Sequence, residues 1–273
     1  MSTGSAEHRA LNGTAPGRAN PGRADPGCAD PGGTAGPAAV PAGDRPGLAT
    51  LLVSLQLADS AFPSGFYTLS HSLEGFAQAR AVDQDTLPLL LADLLRHGVG
   101  PSDATALALA HRAVGEGAPE RVAEIDRYLY ATKLNSEMRR AATRTGRQLL
   151  DLAEEVFDRP EITAYHRTVL GRAAPGTQAV VAGVVYAATA VPVREAVTAD
   201  LFAFCASFAG AALRLRLTDH RRAQRLLRGA APVIEETAEL AVRRELADVG
   251  ATVFVADAMS GRHERAEARL FAS

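Results

Sequence analysis

From Leu48 onward, apolar positions fall at spacings of three and four, the repeat of a helix with one buried face. Leu87, Leu90, Leu91, Leu94 and Leu95 share such a face. Leu201, Phe204, Cys205, Phe208, Ala212 and Leu215 form a wider stripe, enough for a helix of about six turns. Thr218 and Asp219 mark the start of the next helix, whose apolar face includes Leu226, Leu227, Val233, Ile234 and Leu240. Pro232 should kink or split it.

Helix boundaries are spelled out by capping and breaking residues. Ser102 after Pro101 predicts a fresh start ahead of the Ala/Leu-rich segment to Val114, with Gly115 and Gly117 as stops. Pro119 suits the first turn of a helix running through Ile125, Leu129 and Tyr130. A long helix spans Ser136 to Phe157, and another runs from about Gln178 to Ala190 before Pro192 ends it. β-Branched stretches at Val180–Val185 and Thr252–Val255 are short, and strict alternation is absent elsewhere. The pattern predicts an all-α, single multi-helix domain of about ten helices over residues 48–273.

Composition changes the picture at one end. Of the 273 residues, the first 47 hold 10 Gly and 7 Pro, no aromatic residue, and a repeated Asn/Asp-Pro-Gly theme at Asn20, Asp25 and Asp30. Such a Gly/Pro/Ala-rich segment cannot bury enough apolar surface to offset chain entropy and is expected to be disordered. It lacks the unbroken apolar stretch of a signal peptide. The net charge of −2 gives no global attraction to nucleic acid or acidic lipid. No apolar run comes near the roughly 20 residues that cross a bilayer. Cys28 and Cys205 do not suggest a disulfide framework, so a cytoplasmic protein is expected, without nucleic-acid or membrane partners.

Catalytic patterns are sparse. There is no phosphate-cradling glycine loop, and the seven histidines are scattered. His71 and Glu74 stand at helical spacing, and with Tyr67 could line a small-molecule pocket. Phe62, Pro63, Gly65 and Phe66 form an aromatic-rich turn, either a core plug or a ligand or partner loop. Arg140, Arg144 and Arg147 share one helix face, and Arg214, Arg216, Arg221, Arg222, Arg225 and Arg228 form a second basic cluster. These are solvated faces or sites for an acidic partner, phosphate or nucleic acid; a DNA-binding regulator using Arg221–Arg228 is a further alternative. Residues 262–273 mix Arg262, Glu264, Arg265, Glu267 and Arg269 with Leu270 and Phe271. That mixture suits either a docking surface or a final helix packed on its own domain.

Three segments, taken together, resemble the urease accessory protein UreF family. They are Leu55 to Phe66 with Ser70-His-Ser-Leu-Glu74, Asn135-Ser-Glu-Met-Arg139 with Thr145-Gly-Arg147, and Met259 to Glu264 with Arg269-Leu-Phe-Ala-Ser273. The chain departs from the family pattern at Ser64-Gly65, where a double glycine is common, and in the Phe66–Leu69 spacer. The resemblance implies an all-α, often dimeric, non-enzymatic subunit that binds UreD (UreH). It also implies recruitment of the GTPase UreG and promotion of nickel insertion into apo-urease. Nickel and GTP would be handled by the wider complex, with no cofactor or metal bound directly by this chain.

Carried over by motif, the partner-binding residues would be Arg262, His263, Glu264, Arg269, Leu270, Phe271 and Ser273, within a tail spanning 259–273. Second-rank candidates are Phe62, Pro63, Gly65, Phe66, His71, Glu74, Asn135, Glu137, Arg139, Arg140 and Arg147. On this reading the tail is disordered until it meets a partner, where Leu270 and Phe271 enter a groove and Arg269 supplies charge-assisted hydrogen bonds.

Overall fold

The computed structural model describes residues 47–62, 66–266 and 269–271. The expected low-complexity segment, apart from Gly47, and Pro63, Gly65 and Ser273 lie outside the described residues. Regular structure among those described is helical, without strands. The chain runs through α1 (Leu48–Ala58), α2 (Leu73–Gln78), α3 (Leu87–Asp93), α4 (Thr105–Gly115), α5 (Pro119–Thr132) and α6 (Ser136–Phe157). It continues as α7 (Pro160–Leu170), α8 (Gln178–Ala188), α9 (Val193–Arg214), α10 (His220–Ala241) and α11 (Phe254–His263). Single 3₁₀ turns lie at Phe66–Thr68 and Leu246–Asp248, and Leu94–Ala104 forms a wide π-helical segment.

Several helix starts sit where side-chain chemistry puts them. The Asn135 side chain accepts from the Met138 N–H and the Asp219 side chain from the Arg222 N–H, capping α6 and α10. Pro119 and Pro160 occupy first turns, where no intrahelical N–H is needed.

Two proline expectations are corrected. Pro101 does not separate two helices, because α3, the π segment and α4 form one continuous rod. The π register relieves the proline clash, and amides distant in sequence add bonds to carbonyls of this segment. The Thr252 N–H donates to the His97 carbonyl at 2.9 Å and the Gly250 N–H to that of Pro101 at 3.1 Å. Ser102 therefore caps nothing; its hydroxyl donates back to the Gly98 carbonyl at 2.7 Å. Likewise α10 passes through Pro232 unbroken. Pro232 and Arg228 are both exposed, so water can take the carbonyl left without an N–H, while packing on α9 and the π segment holds both halves.

The core is built around α8. Gln178 to Tyr186 are all buried there, and α4, α6, α7 and α9 pack around it. An all-round apolar helix is the signature of such a position, which explains why the β-branched Val180–Val185 is not a strand. Gly146 allows the close approach of α6 to the turn before α8: a Cβ there would lie 2.2 Å from the Gly176 carbonyl oxygen. The same turn is held by buried Asp126 of α5. Its carboxylate accepts from Tyr165 Oη (2.7 Å), Gly176 N–H (2.6 Å), Thr177 N–H (3.0 Å) and the Thr177 hydroxyl. Four donors satisfy a charge that would otherwise be prohibitive in the interior.

The expectation about apolar runs also needs correction, since α9 is long and apolar enough to cross a membrane by length and composition. Leu201, Phe204, Cys205, Phe208 and Ala212 on it are buried in the core, the placement of a central helix in a globular domain.

Candidate partner-binding site

The three sequence segments singled out above meet at one point. Glu74 on α2, Glu137 on α6 and His263 at the end of α11 are each no more than 3 % exposed. His263 Nε2 lies 2.7 Å from Glu74 Oε2, and its Nδ1 lies 3.4 Å from Glu137 Oε2. Both ring nitrogens face carboxylate oxygens, so the ring and the two carboxyl groups are one another's hydrogen-bond partners inside the domain. Gly75 lets the helices approach this closely, because a Cβ there would sit 2.6 Å from the Met259 carbonyl oxygen of α11.

The tail is strapped to the same carboxylates. Glu74 Oε1 accepts from the Leu270 N–H at 2.8 Å and Glu74 Oε2 from the Phe271 N–H at 3.1 Å. Arg269 Nη1 donates to Glu137 Oε1 at 3.2 Å. Phe271 is 6 % exposed, and the Arg214 guanidinium stacks on its ring at 4.2 Å. The same guanidinium lies 3.9 Å from the Tyr67 ring, and burial pulls its pKa down. This corrects the expected free tail: Phe271 is buried in this chain's own domain, because two buried carboxylates need donors and the tail supplies them. Leu270 is 73 % exposed and remains available to a partner.

Around this buried knot lies a polar rim. Glu264 accepts from Ser136 Oγ at 2.5 Å and Arg140 Nη2 at 2.6 Å, and these bonds hold its carboxyl below the usual range. Arg262 is exposed. Arg144 donates to Thr68 Oγ1 at 2.9 Å and Arg147 Nε to the Pro175 carbonyl at 3.1 Å. Asn135 caps α6, and Arg139 donates to the Lys133 carbonyl.

The other expected site residues lie apart. Phe62 is buried in the core and Phe66 packs against it, so the aromatic turn is a plug at these two positions. His71 does not share a helix face with Glu74: at φ 53°, followed by Ser72 at φ 68°, it belongs to the turn before α2. Ser207 Oγ donates to the Phe66 carbonyl at 2.9 Å, which leaves His71 Nε2–H to donate to Ser207 at 2.9 Å. Burial pulls the His71 pKa down to about 3, so the ring is neutral. Tyr67, His71 and Glu74 thus engage Arg214, Ser207 and His263 respectively and do not converge on one pocket.

His71 instead borders a partly open cavity of about 220 Å³ that also meets Asp103, Lys133, Gln178 and Asp200. Lys133 Nζ pairs with Asp103 at 2.9 Å. Asp200 takes a hydrogen bond from Gln178 at 2.9 Å, yet burial still pushes its pKa up to about 6. Among the described residues, no three His, Cys, Asp or Glu side chains form a metal-ligand set. Sequence reasoning missed Asp126, Asp103 and Asp200. For Asp126 the signal was present: a carboxylate on the stripe of Val122, Ile125 and Leu129 must have internal partners.

A second kind of surface is apolar. Leu48, Leu51, Leu52 and Leu55 on α1 are 44–80 % exposed, and Tyr67 and Phe202 are also exposed.

A family model described as UreF matches residues 81–231. The urease accessory protein UreF of Xanthobacter autotrophicus is 31 % identical over 88 % of this chain and 98 % of its own length. Proteins of the same name from an Arthrobacter species (32 %, covering 80 % of this chain and 95 % of the relative) and Trichodesmium erythraeum (30 %, covering 81 % and 96 %) are similar. The match spans nearly the whole of each relative, and the knot of Glu74, Glu137 and His263 ties together the segments that suggested the resemblance: the chain belongs to the UreF family of urease accessory proteins, which assist the enzyme and are not the enzyme.

Proposed function

We propose that this chain is a non-catalytic assembly subunit of urease maturation that binds UreD (UreH), recruits the GTPase UreG and promotes nickel insertion into apo-urease in the cytoplasm. The observation that carries the reading is the buried Glu74–His263–Glu137 knot, which fastens the tail to the domain. Fastened there, Arg269 lines one groove with Arg140 and Arg144, while Arg262 and Leu270 are exposed and open to a partner. The leucine face of α1 supports a second contact, which we assign to a homodimer. Nickel and GTP then belong to the partners, and neither DNA nor a membrane is needed.

The test is urease activation in a strain lacking this protein, complemented with variants, together with co-purification of the partners. Deleting 262–273 also removes His263 from between two buried carboxylates, so it perturbs folding as well as binding. Exposed substitutions separate the two effects. Arg262→Glu with Leu270→Ser should leave helicity and melting unchanged while lowering partner retention and urease activation at least tenfold. Full activation by this variant, or by a strain with no copy of the gene, would overturn the reading.

A further inference from the structure

Two shallow grooves adjoin on the surface of α6, sharing Thr143 and Arg147 as common wall. Six arginines line the pair: Arg127, Arg140, Arg144, Arg147, Arg172 and Arg269. The lining carboxylates are Glu137, already engaged by His263 and Arg269, and Asp151. A chain whose net charge is −2 thus concentrates positive charge on one face.

Arg140 and Arg269 pair with Glu264 and Glu137, but the other four arginines here are held differently from others on the molecule. Arg96, Arg112, Arg121, Arg194 and Arg243 each pair with a glutamate. In the grooves, Arg127 Nη1 donates to the Ala173 carbonyl at 2.8 Å, Arg147 to the Pro175 carbonyl and Arg144 to Thr68 Oγ1. Arg172, at φ 61°, is exposed on the turn after α7. Among the described residues, none of these four is paired with a carboxylate. A neutral oxygen fixes the direction of a guanidinium without consuming its charge, and leaves its remaining N–H groups as an oriented fork.

We propose that the paired groove docks a carboxylate-rich segment of a partner protein. The proposal rests on the assembly-subunit reading above and deepens it by naming the chemistry of one partner. Guanidinium forks match carboxylates two bonds at a time, and the spacing of Arg144 and Arg147 along α6 suits neighbouring acidic side chains. Among the described residues lining the grooves, no exposed aromatic ring offers a base-stacking platform: Phe271 is buried against Arg214, and Tyr130 is half-buried beside Arg139. Steering by such a face raises association rates and makes binding fall with salt.

The test uses the full chain and fluorescein-labelled octaglutamate, with octaserine, a single-stranded oligonucleotide and inorganic phosphate as comparisons. Octaglutamate is expected to bind at low ionic strength and weaken with salt. Arg144→Glu with Arg147→Glu should lower that affinity at least tenfold, while Arg221→Glu with Arg222→Glu on α10 should leave it unchanged. Should the double reversal fail to fold by circular dichroism, Arg144→Gln with Arg147→Gln asks the same question, with a severalfold loss expected. Equal binding by the groove variants, or tighter binding of the oligonucleotide or phosphate than of the peptide, overturns the proposal. In co-purification with the proposed partners, a groove variant that keeps them all sinks the groove assignment alone. A wild-type chain that keeps none sinks the assembly reading.

Discussion

His263 Nε2 and Glu74 Oε2 stand 2.7 Å apart, joining side chains 189 positions distant in sequence at a place that solvent does not reach. Glu137 completes the contact from the other side of the ring. Removing one member of such a group leaves the others buried without a partner, which costs more than the contact itself contributes. His263→Ala should therefore destabilise the domain by about 3–5 kcal/mol. Glu74→Gln, which keeps an acceptor for the tail but loses the charge, should cost less. Urea unfolding read by circular dichroism measures both, and a change under 1 kcal/mol for His263→Ala would show the knot to be energetically idle.

Phe271 is fastened by two means, its N–H on Glu74 and its ring against Arg214. Phe271→Ala removes the ring and leaves the backbone bond, so the domain should stay folded while the tail becomes cleavable at Arg269 by trypsin. A double-mutant cycle between Arg214→Ala and Phe271→Ala should give a coupling of about 1 kcal/mol from the stacked guanidinium. A coupling of zero would mean that the contact is only proximity.

Gly146 has no room for a methyl group, since the atoms it would strike are backbone atoms of the turn at Gly176, Thr177 and Gln178. Gly146→Ala should push α6 away from α8, loosen the donors around Asp126 and cost about 3 kcal/mol or more. Gly210, where a methyl group meets nothing within 4 Å, is the control; Gly210→Ala should be neutral or stabilising by up to about 1 kcal/mol. Thermal melts of the two variants give the comparison.

Asp200 supplies a pH dependence. Burial raises its folded pKa from the ordinary 3.8 to about 6, so the folded state binds its proton more tightly than the unfolded state does. Its contribution to stability is complete below pH 3.8 and is lost as pH rises through about 6. Asp200→Asn should therefore stabilise the protein by about 1–3 kcal/mol at pH 8 and by little at pH 4. Denaturant midpoints at the two pH values decide it; an equal shift at both would assign the effect to packing.

Much of the helical plan was legible because local chemistry decides it. Asn135, Pro119 and Asp219 mark helix starts that need only their own neighbours, and each start lies where the sequence puts it. Pro101 and Pro232 misled because their missing donors are compensated by tertiary partners or by water on an exposed face, which local rules do not see. At the site, the relevant residue types were visible but not their wiring. Glu74 read as a neighbour of His71 by spacing, whereas the turn at His71 and Ser72 directs it to His263 instead. Phe271 read as free because its two fasteners, Glu74 and Arg214, are far away in sequence.

The wide turn at Pro101 carries a consequence for the order of events during synthesis. The His97 and Pro101 carbonyls within it also accept the amides of Thr252 and Gly250, so a nascent chain that has emerged only as far as α9 lacks both of these bonds. The rod from α3 to α4 can coil early but gains these two bonds only when nearly all the remaining helices have left the ribosome. Closure of this long loop is thus placed late, and the slow phase of refolding should track the arrival of the 250–252 segment.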